Sequence, residues 1–154
     1  MYIFNMYNIS LLERMWFMKS VLFVCHGNIC RSPMAEYIMK YLNDDLLVES
    51  RATSTDEIGN DIYPNTKEQL IKHNIPFEKH EAKQITKQDF DSFDLIVAFD
   101  EYNVRNLKRM FGDLSKIVKL NEKDVDDPWY TRDFDKAYKE IYEGCIQLIK
   151  KYDL

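Results

Sequence analysis

Four apolar residues, Val21-Leu22-Phe23-Val24, run directly into Cys25, a short turn and Ser32-Pro33, and this stretch constrains the chain more than any other. A short apolar run with β-branched residues at both ends predicts a strand buried on both faces. Ser32 suits a helix N-cap and Pro33 the first helical position, so a helix is predicted to begin there. Ala35, Ile38, Met39 and Leu42 then recur at helical spacing and supply one face to pack on a sheet. The predicted unit is strand, tight loop, helix N-terminus.

Such a unit has a chemical meaning. The unpaired N–H groups of the loop and the helix start converge on one point and favour an anion there. Cys25 opens the loop and Arg31 closes it. The arginine fork matches two oxygens of a phosphate, where a lysine would offer a point charge. A helix N-terminus and a guanidinium both favour thiolate over thiol. The stretch therefore sets a nucleophile against a bound tetrahedral phosphate.

Cys25, five residues, then Arg31-Ser32, set between a first strand and a first helix, resembles the signature of the low-molecular-weight protein tyrosine phosphatases. Gly27, Asn28, Cys30, Ser32, Pro33, Ala35 and Glu36 extend the match well beyond the bare spacing. The resemblance implies that residues 26–32 (His26, Gly27, Asn28, Ile29, Cys30, Arg31 and Ser32) wrap a phosphate. An ordinary turn after a buried cysteine is the competing reading, but it needs neither thiol nor guanidinium.

The remaining strands and helices place this loop. Leu46 to Ser54 is predicted as a second strand, Thr66–His73 as a helix capped by Asn65, and Thr86-x-x-Asp89 as a capping arrangement for a brief helix. Leu95–Phe99 is a further buried strand, Glu101–Met110 a helix broken at Gly112, and Ile117–Leu120 the last strand. Asp126-Asp127-Pro128-Trp129-Tyr130 is predicted as a long loop. From about Asp133 to Lys151 the apolar stripe Phe134, Ala137, Ile141, Cys145, Leu148 and Tyr152 marks a C-terminal helix. Alternating strands and helices predict an α/β fold: a single-domain, doubly wound parallel sheet with its ligand site at the C-terminal strand ends. The family resemblance adds that this sheet is four-stranded and flavodoxin-like. Residues 18–154 are read as the phosphatase domain. Residues 1–17 are read as an extension: disordered, a short helix, an interaction segment or an artefact of start-site assignment.

Phosphate-ester cleavage needs a proton for the leaving oxygen, and a loop carboxylate supplies one. Asp127 before Pro128 resembles the family's general acid, with Asp126 its solvated neighbour. Trp129 and Tyr130 then match aromatic walls for a phosphotyrosine ring, with core packing the alternative for Tyr130. The resemblance further implies that Asn28, Ser32, Ser50 and His73 hold the loop in shape, and that Asp100 lies near Arg31. Unaided by it, His73 reads as a helix-end residue and Asp100 as an N-cap. Cys30 is either a partner for Cys25 in a protective disulfide, as the resemblance implies, or a small buried hydrophobe. Three positions depart from the family pattern: Asp56 stands where an aromatic normally completes the substrate wall, while Glu49 replaces a common aspartate and His26 a common aliphatic, neither touching the chemistry.

Composition narrows the partners. A net charge of −5 argues against nucleic acid, and no stretch is apolar enough to span a membrane. Three cysteines do not make a disulfide framework, so a reducing, cytoplasmic setting is expected. Cys25, His26 and Cys30 do not complete a tetrahedral zinc set, and no cofactor motif is present, so a metal-free, cofactor-free site is expected. The expected substrate is a phosphotyrosine protein or a small aryl phosphate, handled by a monomer. Arsenate reductases of this fold need a mid-sequence cysteine pair, and this chain has none between Cys30 and Cys145. Protein-arginine phosphatases usually carry threonine where Ile29 stands, although Asp56 would suit a cationic substrate. A non-catalytic phosphate-binding domain would need neither Cys25 nor Asp127.

Overall fold

The computed structural model describes residues 19–113 and 115–154; the expectation for residues 1–17 lies outside them. Four parallel strands form one sheet in the order β2-β1-β3-β4, with β1 at Ser20–Cys25, β2 at Leu47–Ala52, β3 at Leu95–Ala98 and β4 at Ile117–Lys119. The chain leaves β1 to one side to make β2 and returns to the other side to make β3. The crevice between those two directions opens beyond the C-terminal end of β1, where ligands settle in such sheets.

Strand β1 shows why the sheet is covered on both faces. Its odd residues, Val21, Phe23 and Cys25, join the cluster containing Met34, Ile38, Ile141 and Leu148. Its even residues, Leu22 and Val24, join Phe90, Phe93 and Leu107 in a separate cluster. Alternation of side chains along a strand divides the core in two. Helices α1 (Arg31–Leu42) and α6 (Phe134–Tyr152) cover the first face; α3 (Lys87–Ser92) and α4 (Glu101–Phe111) cover the second. Between them in the chain lie α2 (Pro64–Lys72) and the short α5 (Pro128–Thr131). Gly144 lets α6 approach the sheet closely, since a Cβ there would lie 2.5 Å from Leu120 Cγ.

The predicted strands and helices all form, with informative shifts at their ends. Helix α1 starts at Arg31, and Ser32 is not its cap, because its hydroxyl is engaged with Cys25 and Asn28 instead. Helix α2 starts one residue before the predicted Asn65 cap, with Pro64 at the first helical position. The Thr86–Asp89 pair forms a reciprocal capping box on α3. Gly112 ends α4 in the left-handed conformation that glycine tolerates best. The predicted loop at Pro128 is instead one helical turn, capped by the Asp127 carboxylate.

Candidate active site

Residues 26–30 turn from β1 into α1 as a closely tied loop. Thr53 N–H donates to the Cys25 carbonyl, Ser54 N–H and Oγ to that of His26, and Tyr63 N–H to that of Ile29. The Asn28 carbonyl accepts from His80 Nε2 at 2.7 Å, which requires the proton to sit on that nitrogen. With the carbonyls claimed from outside, the loop N–H groups are left to face an anion. Asn28 adopts φ +60°, a left-handed conformation that asparagine tolerates better than most residues.

A buried polar chain runs beneath the loop. Asn28 Nδ2 donates to Ser32 Oγ at 2.8 Å and to Ser50 Oγ at 2.9 Å, while its Oδ1 accepts from Lys83 N–H. Ser50 in turn donates to Glu36 Oε1 at 2.6 Å, and Lys40 pairs with the same carboxylate. Ser50 directs its hydroxyl hydrogen to Glu36, and the Asn28 amide nitrogen can only donate, so both serine oxygens accept from it. Ser32 keeps its proton, and its oxygen lies 3.1 Å from Cys25 Sγ. The competing Arg51 carbonyl is 3.5 Å away, a weak alternative. Ser32 is therefore poised to donate to a Cys25 thiolate.

Arg31 is 2% exposed, an unusual burial for a guanidinium. Its Nη1 donates to Asp100 Oδ2 at 2.7 Å and to the Val125 carbonyl at 2.8 Å, while Nη2 lies 3.5 Å from Asp127 Oδ2. Burial works against its charge, but Cys25, Asp127 and Asp100 outweigh this and raise it above the ordinary arginine value. Asp100 makes both contacts: Oδ1 caps α4 by accepting from Asn103 N–H, and Oδ2 accepts from Arg31 Nη1.

Cys25, Arg31 and Asp127 line one pocket of about 110 Å³, together with His26, Asp56 and Trp129. Asp126 points elsewhere, 3.5 Å from Lys136. Trp129 packs edge-on against Tyr63 with ring centroids 5.1 Å apart. Tyr130 also lines the pocket and is 77% exposed, so packing beneath the loop is not its role. Asp56 sits at the mouth, and its carboxylate meets His26 Nε2 at 2.8 Å. Cys30 is buried with Ile29, Ala82 and Phe134. Burial, then the nearby Cys25 and Asp127, push its thiol up to about 12, so it stays protonated. Among the described residues no group of three or more His, Cys, Asp or Glu is arranged to hold a metal ion.

One expected member of the network is misplaced. His73 closes α2, where Nδ1 meets the Gln69 carbonyl and the ring stacks on Tyr138 of α6 at 3.7 Å. The end of α2 faces α6 rather than the loop, so the imidazole cannot reach Asn28. His80 takes that place, on the segment that returns along β2. Asp61 anchors it by accepting from His80 N–H. Burial pushes the Asp61 carboxyl up, but Lys67 and the His80 and Ile62 N–H groups outweigh this and hold it at about 2. Two further residues reach the site without a sequence signal for that role: Glu36 supports Ser50, and Glu57 lines the pocket. Glu36 already stood in the motif; Glu57 and His80 carry no spacing signal.

The family model for low molecular weight phosphotyrosine protein phosphatases matches residues 20–153. The chain belongs to that family. The Gallus gallus low molecular weight phosphotyrosine protein phosphatase is 40% identical over 150 residues, covering 87% of this chain and 93% of its own length. The crystal structure of the Streptococcus pyogenes family member SP-PTP superposes with a TM-score of 0.84 at 45% identity, covering 87% and 93% of the two chains. DARP, an arginine phosphatase of Drosophila, also shares the fold, with a TM-score of 0.79 at 31% identity over 87% and 98%. In this low-molecular-weight phosphatase, the cysteine-arginine loop occupies the switch point of the sheet.

Proposed function

We propose that the protein hydrolyses phosphotyrosine and aryl phosphate monoesters through a phosphocysteine intermediate. The observation that carries this reading is the convergence of Cys25, Arg31 and Asp127 on one pocket walled by Trp129. Arg31 and the loop N–H groups hold three phosphate oxygens, and Cys25 Sγ attacks phosphorus in line with the ester oxygen. As the S–P bond forms and the P–O bond breaks, Asp127 passes its proton to the departing phenol. The Asp127 carboxylate then takes a proton from water, which attacks phosphorus and expels the Cys25 thiolate. Ser32 donates to that thiolate as it leaves. Asp100 holds Arg31 in register throughout. The chemistry needs no metal.

The test is Cys25→Ser, which should lower turnover of an aryl phosphate by a thousandfold or more, to order of magnitude, and still bind inorganic phosphate. Near-normal turnover would exclude the covalent route. A second reading, a protein-arginine phosphatase, is favoured by the carboxylates of Asp56 and Glu57 at the pocket mouth, which suit a cationic guanidinium. Parallel kinetics on an aryl phosphate and on phosphoarginine decide between the two. The charge balance and the three free thiols support a cytoplasmic enzyme that binds no nucleic acid, and we read it as a monomer. No helix among the described residues is long and apolar enough to cross a membrane.

A further inference from the structure

A second cavity, of about 380 Å³, opens behind the rim of the catalytic pocket. His26 and Asp56 line both cavities, so their 2.8 Å contact forms the partition between them. One wall of this groove is α4, which contributes Tyr102, Arg109 and Met110. Tyr102 lies at the catalytic end, its ring centroid 6.3 Å from that of His26. Tyr102 is 53% and Met110 38% exposed, a raised share for large apolar side chains. Arg109 is exposed and donates to Asn106, and it meets no carboxylate among the described residues.

The dimensions suit an extended peptide. The seven helical steps from Tyr102 to Arg109 advance about 10 Å. An extended chain covers that distance in roughly three residues. Charge along the groove changes sign over the same length, from Asp56 at the partition to Arg109 at the far end.

We propose that this groove receives the residues flanking the phosphotyrosine of a peptide substrate, and that Arg109 selects an acidic side chain about three residues away. The proposal rests on the reading of the neighbouring pocket as a tyrosine phosphatase site. Asp56 acts in the opposite sense close in, disfavouring an acidic residue directly beside the phosphotyrosine. Tyr102 and Met110 give the intervening side chains an apolar surface.

Steady-state kinetics on a panel of phosphotyrosine peptides test this. The parent peptide is neutral, and each variant carries one glutamate between one and four residues before or after the phosphotyrosine. Glutamate three residues away, on one side, should lower KM about two- to fivefold with kcat unchanged, the range for an exposed ion pair. Glutamate directly adjacent on that side should raise KM. Arg109→Ala should abolish the gain, and Arg109→Glu should transfer it to the corresponding lysine peptide. A small aryl phosphate, having no flank, should be hydrolysed equally by all three proteins. Identical KM patterns in the native protein and Arg109→Glu would overturn the groove assignment while leaving the phosphatase reading intact. Failure of the native protein to hydrolyse the aryl phosphate at all would overturn both.

Discussion

At the base of the pocket Asn28 and Ser32 are fully buried and Ser50 is 2% exposed, and every one of them is tied to another by a hydrogen bond. At its mouth Trp129 is 43% and Tyr130 77% exposed, and the Asp56 side chain is 65% exposed. The base is a closed polar network in a dry setting, where each group left unpaired costs about 1–3 kcal/mol. The mouth is solvated, and a change there costs little folding energy. On the proposed reading, phosphate capture is thus tied to stability, while the residues at the mouth are free to vary. Asp56, proposed above to stand in the substrate wall, lies on the free side.

Experiments that cut across this division rank by size. Asp127 belongs to both regions, touching Arg31 below and capping the rim helix α5 above. Asp127→Asn should lower kcat on a phenyl ester by about a hundredfold to ten-thousandfold, the usual range for a general acid. The loss should shrink on an ester whose leaving group needs no proton, measured side by side. Equal losses on both esters would make Asp127 a structural cap only.

Within the base, Asn28→Ala strips the partners from Ser32, Ser50 and Lys83 N–H and puts a Cβ-bearing residue without a polar group at φ +60°. It should cost about 2 kcal/mol or more in stability, read from denaturant melts. Asn28→Gly, which relieves the backbone but not the hydrogen bonds, should recover about 1 kcal/mol of this. A neutral outcome for both would mean the network contributes nothing to the fold.

Cys30 tests the same region by oxidation. Peroxide converts the Cys25 thiolate to a sulfenic acid; attack by Cys30 sulfur then forms the disulfide and releases water. Activity of the native protein should return almost fully with a thiol reductant, whereas Cys30→Ser should recover only a minor fraction. Equal recovery would leave Cys30 as packing for Ile29 and Phe134.

The smallest effect belongs to the rim. Asp56→Tyr restores an aromatic wall and should lower KM for an aryl phosphate about three- to tenfold with kcat little changed. Stability should move by no more than about 0.5 kcal/mol. An unchanged KM would show that the ring of the substrate does not reach Asp56.

Strand, loop and helix were legible in the chain because each is a local consequence of residue order. Val21–Val24 is a buried strand by its apolar run, Arg31 follows Cys25 by motif, and the Thr86–Asp89 box needs only four residues. By residue order alone, these signals set Cys25, Arg31 and Asp127 at one end of a parallel sheet. Tertiary structure decided which of two carboxylates faces Arg31, since Asp126 and Asp127 are neighbours that only the α5 turn separates. It also exchanged His73 for His80. The two imidazoles lie seven residues apart in similar surroundings, and only the return of the chain along β2 brings the second to Asn28. The His26–Asp56 partition joins residues thirty positions apart. Local periodicity reports what a segment buries, whereas contacts between distant loops depend on how the sheet sets their ends, and no spacing within either loop encodes that.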